Sequence, residues 1–159
     1  MDLARLGTPC IVDAIRWYVI PRGECFKWIV WFRMLQAVRR HLFSRVIFGF
    51  PVYLIYRHYE FKYGIHVNPN IAIGGGLRVV HGGVNLNASE IGENLTVYPG
   101  VMVGKNRGAI PKIGRNVKIF TNAVCVGGIK VGDNAVIGAL TYVDFDVHSG
   151  EKIVGNKKL

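Results

Sequence analysis

A histidine stands alone among aliphatic and glycine residues in the stretch Val79-Val80-His81-Gly82-Gly83-Val84. Imidazole exchanges protons near neutral pH without help from its surroundings, so a histidine held in a cleft can serve as a general base. On the residues alone a second reading stands beside this one, a structural histidine whose ring nitrogens are bonded to backbone. His41, His58, His66 and His148 are scattered, and Asp144 and Asp146 lack a partner cluster. Cys10, Cys25 and Cys125 are widely spaced without a C-x-x-C pair. This pattern indicates neither a metal site nor a disulfide framework, and the cysteines read as small buried hydrophobes.

The elements that must position His81 announce themselves by a period of six. From Val67 the repeat runs through Ile73, Val79, Asn85, Ile91, Val97 and Val103. After a four-residue insertion it continues through Ile113, Ile119, Cys125, Val131, Ile137 and Val143. Asn85 alone breaks the apolar series, and glycine directly follows six of its members, from Gly74 to Gly138. One inward aliphatic per hexapeptide predicts a solenoid of very short strands with Gly, Asn and Asp at its corners, about eighteen residues to a coil and a little over four coils. The insertion, residues 105–112 (KNRGAIPK), must protrude as a loop, because a coil that absorbed it would turn every later side chain off the core.

Residues 1–62 follow a different period and form a helical segment ahead of a β-helix domain at 63–159. Trp28, Trp31, Leu35 and Val38 fall at helical spacing, which predicts an amphipathic helix. A second helix is expected from a Ser44 N-cap to about His58, bent or interrupted at Gly49 and Pro51. These helices either pack on each other and on the solenoid or rest an aromatic, basic face on an anionic membrane, a contact assigned to residues 1–60.

The net charge of +10 divides into +6 over residues 1–62 and +4 over the rest. A basic surface attracts nucleic acid, anionic lipid and phosphate-rich ligands alike, and no recognition motif accompanies the charge to favour nucleic acid. No apolar run reaches the length of a membrane span, and charged residues interrupt any signal-peptide core near the start, so the expected location is cytoplasmic, including the inner face of the membrane.

With Ile65-His66-Val67-Asn68, the V-V-H-G-G box, the V-M-V-G…P-K-I-G segment over 101–114 and I-G-A-x-x-x-V over 137–143, the chain resembles hexapeptide-repeat acyltransferases of the serine acetyltransferase-like branch. Within that branch it is most similar to capsule and exopolysaccharide O-acetyltransferases of the colanic acid type. Serine acetyltransferases carry a longer helical domain, and an Arg-His pair before Pro-Lys-Ile that holds the amino-acid carboxylate. Here that pair is Ala109-Ile110, which offers a carboxylate no charge. Gly64 and Val80 replace two acids of the family pattern.

The resemblance implies a mainly β fold, a left-handed parallel β-helix with a short helical N-terminus, assembled as a homotrimer with sites between subunits. It implies acetyl-CoA as donor, no metal, and a sugar hydroxyl of a surface polysaccharide or its lipid-linked precursor as acceptor. Serine O-acetylation and a non-catalytic solenoid scaffold are the alternatives. His81 would be the base and the Gly104 N–H the oxyanion donor. Thr121, Asn122, Gly138 and Ala139 would line the pantetheine arm, with Lys112, Lys130, Lys157 and Lys158 available to its phosphates. Coil arithmetic sets Tyr63 below His81 and Pro99 above it, so Tyr63, Asn85 and Asn87 are candidates to orient the ring. His66 is a structural or acceptor-side residue.

Overall fold

The computed structural model describes residues 25–40, 42–155 and 157–158. Two helices, α1 (Phe26–Arg40) and α2 (Leu42–Tyr63), lead into fifteen short strands. Every third strand belongs to the same sheet, so the chain winds as a three-sided coil. The first sheet stacks β1 (Ile65–Val67), β4 (Val84–Leu86), β7 (Met102–Gly104), β10 (Val124–Val126) and β13 (Tyr142–Val143) in parallel. The second stacks β2 (Ala72–Ile73), β5 (Glu90–Ile91), β8 (Lys112–Ile113) and β11 (Lys130–Val131). The third runs through β3 (Arg78–Val79), β6 (Thr96–Val97), β9 (Lys118–Ile119), β12 (Val136–Ile137) and β14 (Lys152–Val154), and closes with β15 (Lys157–Lys158) antiparallel to β14.

All twelve apolar members of the six-residue series point into the coil and are buried. Asn85 is exposed, and the neighbouring Leu86 takes the inward place with no exposure at all. The series therefore slips by one residue at this rung. One residue is added at the His81-Gly82-Gly83 turn, and one is lost again before Ile91. The coil also runs longer than the series, to about five rungs rather than a little over four, because Val147 and Ile153 continue the core past Val143.

The insertion protrudes as expected. Asn106 and Ala109 exchange two backbone hydrogen bonds of 3.0 Å each, making a tight hairpin with Arg107 and Gly108 at its tip. Both tip residues have positive φ, 47° and 89°, as a two-residue turn of this hand requires.

The helices close the open end of the solenoid. A first coil leaves a row of strand carbonyls without a lower neighbour, an edge that invites unwanted pairing. From α1, the Arg33 guanidinium donates to the Ile73 carbonyl at 2.8 Å and to that of Gly74, and the Gln36 amide donates to the Ile71 carbonyl. From α2, the Tyr56 hydroxyl donates to the Val67 carbonyl at 2.8 Å. Trp28 stacks on Phe32, both fully buried, and with Tyr56 they join the helices to the coil in one core. The aromatic face of α1 is thus packing surface, not a face available to lipid. Arg33→Met is expected to lower the unfolding free energy by about 1.5–3 kcal/mol, the usual worth of hydrogen bonds to a charged group, as read from denaturant titration.

The second helix differs from the sequence expectation. It starts at Leu42 instead of at a Ser44 cap and runs without a break through Gly49 and Pro51 to Tyr63. Pro51 lies on the exposed side, where water can reach the carbonyl left without its usual N–H partner.

Candidate active site

One corner of the triangle, between the third sheet and the first, carries His81. Gly64, Gly83, Gly100, Asn122 and Leu140 succeed one another up this corner, each with φ between 56° and 73°. Backbone bonds tie the rungs: Gly83 N–H to the Tyr63 carbonyl, Gly100 N–H to Gly83, Asn122 N–H to Pro99, and Leu140 N–H to Thr121. His81 follows β3 directly and is exposed on this edge. The Val79 to Val97 pairing, carried forward by the bond from Val80 N–H to the Val97 carbonyl, sets His81 level with Pro99, as the coil arithmetic expects. On the rung below, the extra residue of the turn brings Gly82, not His81, over Tyr63. A Cβ on Gly82 would lie 2.0 Å from the Tyr63 carbonyl oxygen, so the turn fits only with glycine there.

The same corner holds four of the residues expected along the pantetheine arm. Thr121 and Asn122 stand above the Pro99 rung, and Gly138 and Ala139 above them. Leu140, which the sequence reading missed, ends the column at φ 56° with a 76 % exposed side chain. A non-glycine residue in this region costs about 1–2 kcal/mol, a strain that is a pointer to a working surface. The strands feeding the corner carry Arg78 and Lys118, which line a cleft of about 340 Å³ with Tyr98 and Phe120, stacked at 4.8 Å.

Other expected members lie elsewhere. Gly104 ends β7 at the far edge of the first sheet, where its carbonyl accepts from Gly127 N–H. His81 and Gly104 therefore occupy opposite ends of the first sheet's strands, and a single chain does not bring them to one site. Lys112 and Lys130 pair in register on the second sheet, away from the corner. Lys112 is engaged by Glu90 at 2.6 Å. Lys157 and Lys158 form β15 at the end of the third sheet, and their side chains lie outside the described residues.

The acceptor-side candidates divide. Tyr63 is half-buried and stacked on Tyr59. His66, Asn85 and Asn87 instead share a cavity of about 780 Å³ between α2 and the first sheet. Its helical wall includes Tyr53, Tyr56, Arg57 and Glu60, none of which the sequence reading singled out. Glu60 is 5 % exposed, ion-paired with Arg57 at 2.5 Å and 3.8 Å from His66 Nδ1. It is the sole carboxylate between residues 25 and 63, which was the available signal. Burial, and then the charge of Glu60, push the Tyr56 hydroxyl pKa up, so it remains a hydrogen-bond donor.

Burial also pushes the Cys125 thiol up to about 12, which keeps it protonated and unreactive inside the coil. Among the described residues no three His, Cys, Asp or Glu side chains gather as a metal site.

No family model matches the chain. Serine acetyltransferase from Staphylococcus aureus strain Mu50 is 37% identical over 131 residues, covering 76% of this chain and 62% of its own length. The Helicobacter pylori strain 26695 enzyme of the same name is 38% identical over 104 residues, covering 62% and 61%. Among solved structures, Neisseria gonorrhoeae serine acetyltransferase in complex with serine superposes with a TM-score of 0.71 at 24% identity, over 99% of this chain and 64% of that one. A serine acetyltransferase in complex with CoA gives 0.69 at 20% identity, over 94% and 66%. At these identities the superpositions establish the fold, the left-handed parallel β-helix that the resemblance implies and whose short-strand coil the repeats predict. The chain is thus similar in sequence to these serine acetyltransferases and shares the fold of the solved ones, and it spans 62% of the length of the first of these relatives.

Proposed function

We propose that the chain is an acetyl-CoA-dependent O-acetyltransferase with His81 as its general base. The observation that carries this reading is the single corner that gathers His81 with Thr121, Asn122, Gly138 and Ala139 on successive rungs. An acceptor hydroxyl gives its proton to the imidazole as its oxygen attacks the thioester carbonyl. Collapse of the tetrahedral adduct breaks the carbon–sulfur bond, and the thiolate takes the proton from the imidazolium. Arg78 and Lys118, on strands that run into the corner, are cations suited to the phosphates of the donor.

The adduct's oxyanion needs a preorganised donor. Since Gly104 is remote from His81 within one chain, its N–H can serve only across an interface with a second copy, so this role rests on the expected homotrimer. Chromatography with light scattering is the check.

The comparisons favour serine as acceptor, the alternative of the sequence reading, over a glycan, because the relatives are named serine acetyltransferases. One observation keeps the glycan reading as second. The exposed hairpin leads into Ala109-Ile110, a neutral pair that cannot pair with a carboxylate. Thiol release from acetyl-CoA with L-serine, and in parallel with nucleotide sugars and oligosaccharides, separates the two. Turnover with serine is the expected result. Turnover with sugars alone supports the second reading, and none with either class of hydroxyl leaves a non-catalytic solenoid.

A further inference from the structure

We infer that the outer face of α2 is a docking surface for an anionic membrane, on which the helix lies flat. The inference goes beyond the acyl-transfer reading and stands on separate observations. The inner face of α2 buries Val52, Tyr56 and Glu60 against α1 and the coil. The outer face is also apolar. Val46 (76 % exposed), Ile47 (49 %), Phe50 (71 %), Leu54 (51 %) and Phe61 (66 %) recur at spacings of three, four and seven, a single stripe along the helix. Scattered exposed apolar residues need no explanation, whereas a continuous stripe of this kind marks an interaction surface.

Charge identifies the occupant. Residues 25–63 contain seven Lys or Arg and one carboxylate, Glu60, which is turned inward. Lys62 is exposed beside the stripe. The Arg57 guanidinium sits 4.4 Å above the Phe61 ring, its charge met by the buried Glu60, which leaves Lys62 as the cation to face a lipid headgroup. Apolar side chains bordered by a cation, with no exposed acid, complement an anionic interface. Pairing with the same face of a second copy would set like charges against each other without a carboxylate to relieve them. Among the described residues no helix is long and apolar enough to cross a membrane, so the contact is with the surface.

The test is flotation of the full chain with vesicles of phosphatidylcholine alone and of phosphatidylcholine mixed with phosphatidylglycerol. The native chain is expected to float with the anionic vesicles and to stay behind with the neutral ones. The double variant Phe50→Glu, Leu54→Glu is expected to reduce the floated fraction about tenfold or more. Lys62→Gln, an exposed change that leaves packing intact, is expected to weaken binding about fivefold. The proposal is overturned if the native chain floats with neither vesicle, if it floats equally with both, or if the Phe50 and Leu54 changes dissociate an oligomer while leaving flotation as it was. Should the double variant fail to fold, equal flotation of Lys62→Gln and native chain overturns it alone.

Discussion

Replacing His81 by alanine lowers kcat for acetyl transfer by about 10²–10⁴-fold, the contribution of a positioned general base, while the midpoint of thermal unfolding stays where it was. The second half of that expectation follows from position. His81 is exposed on a turn, outside the buried series that holds the coil together, so truncating it creates no cavity. A structural histidine bonded to its own corner predicts the reverse, a lowered midpoint with turnover falling only as the folded fraction falls. Steady-state thiol release and calorimetry on the same preparation distinguish the two. Since Cys25 and Cys125 are both sealed in the core, and burial keeps the Cys125 thiol protonated, neither is placed to take over as a nucleophile.

The coil was legible because its driving force is local and periodic: each hexapeptide must put one aliphatic inside, and all twelve apolar members do so. The exception in the series was itself a signal. Asn85 fails the pattern because Leu86 occupies the core, and the slip that moves it begins at the turn holding His81. An irregularity in an otherwise strict repeat therefore marked the corner of interest, although its size and direction needed the strand pairings.

What stayed hidden depends on contacts between distant segments. No spacing rule says that Arg33, Gln36 and Tyr56 meet the carbonyls of the first rung, or that Glu60 is drawn under His66. The family resemblance, not the coil arithmetic, set Gly104 near the site. Strand length decides otherwise within one chain, since His81 precedes the first sheet's strands and Gly104 ends one of them. Lys112 was available by charge, but its register on β8 puts it across from Glu90 on another face. The helical extent of α2 was underestimated because a proline mid-helix usually ends it, and exposure of the affected turn removes most of that penalty.

Gly82→Ala is expected to damage both stability and catalysis, although it adds a single methyl group next to the candidate base. The new Cβ would stand 2.0 Å from the Tyr63 carbonyl oxygen and 3.0 Å from its carbon, backbone atoms that no rotamer change can move aside. That carbonyl accepts the Gly83 N–H at 2.9 Å, and the next one, Gly64, accepts from Val84 at 3.1 Å, so the clash opens the joint between α2 and the second rung. Overpacking of this kind costs about 1–3 kcal/mol, and losing the adjoining bonds adds about 1 kcal/mol each. His81 is carried on the same turn, and displacing it by about 1 Å is enough to lower kcat/KM about 10²-fold even in the folded fraction. Gly104→Ala is the matched comparison: its Cβ would meet only a Val126 methyl at 4.0 Å, and the substitution keeps the backbone N–H. If Gly82→Ala unfolded with the native midpoint and turned over normally, the close contact with Tyr63 would not be what holds the corner that carries His81.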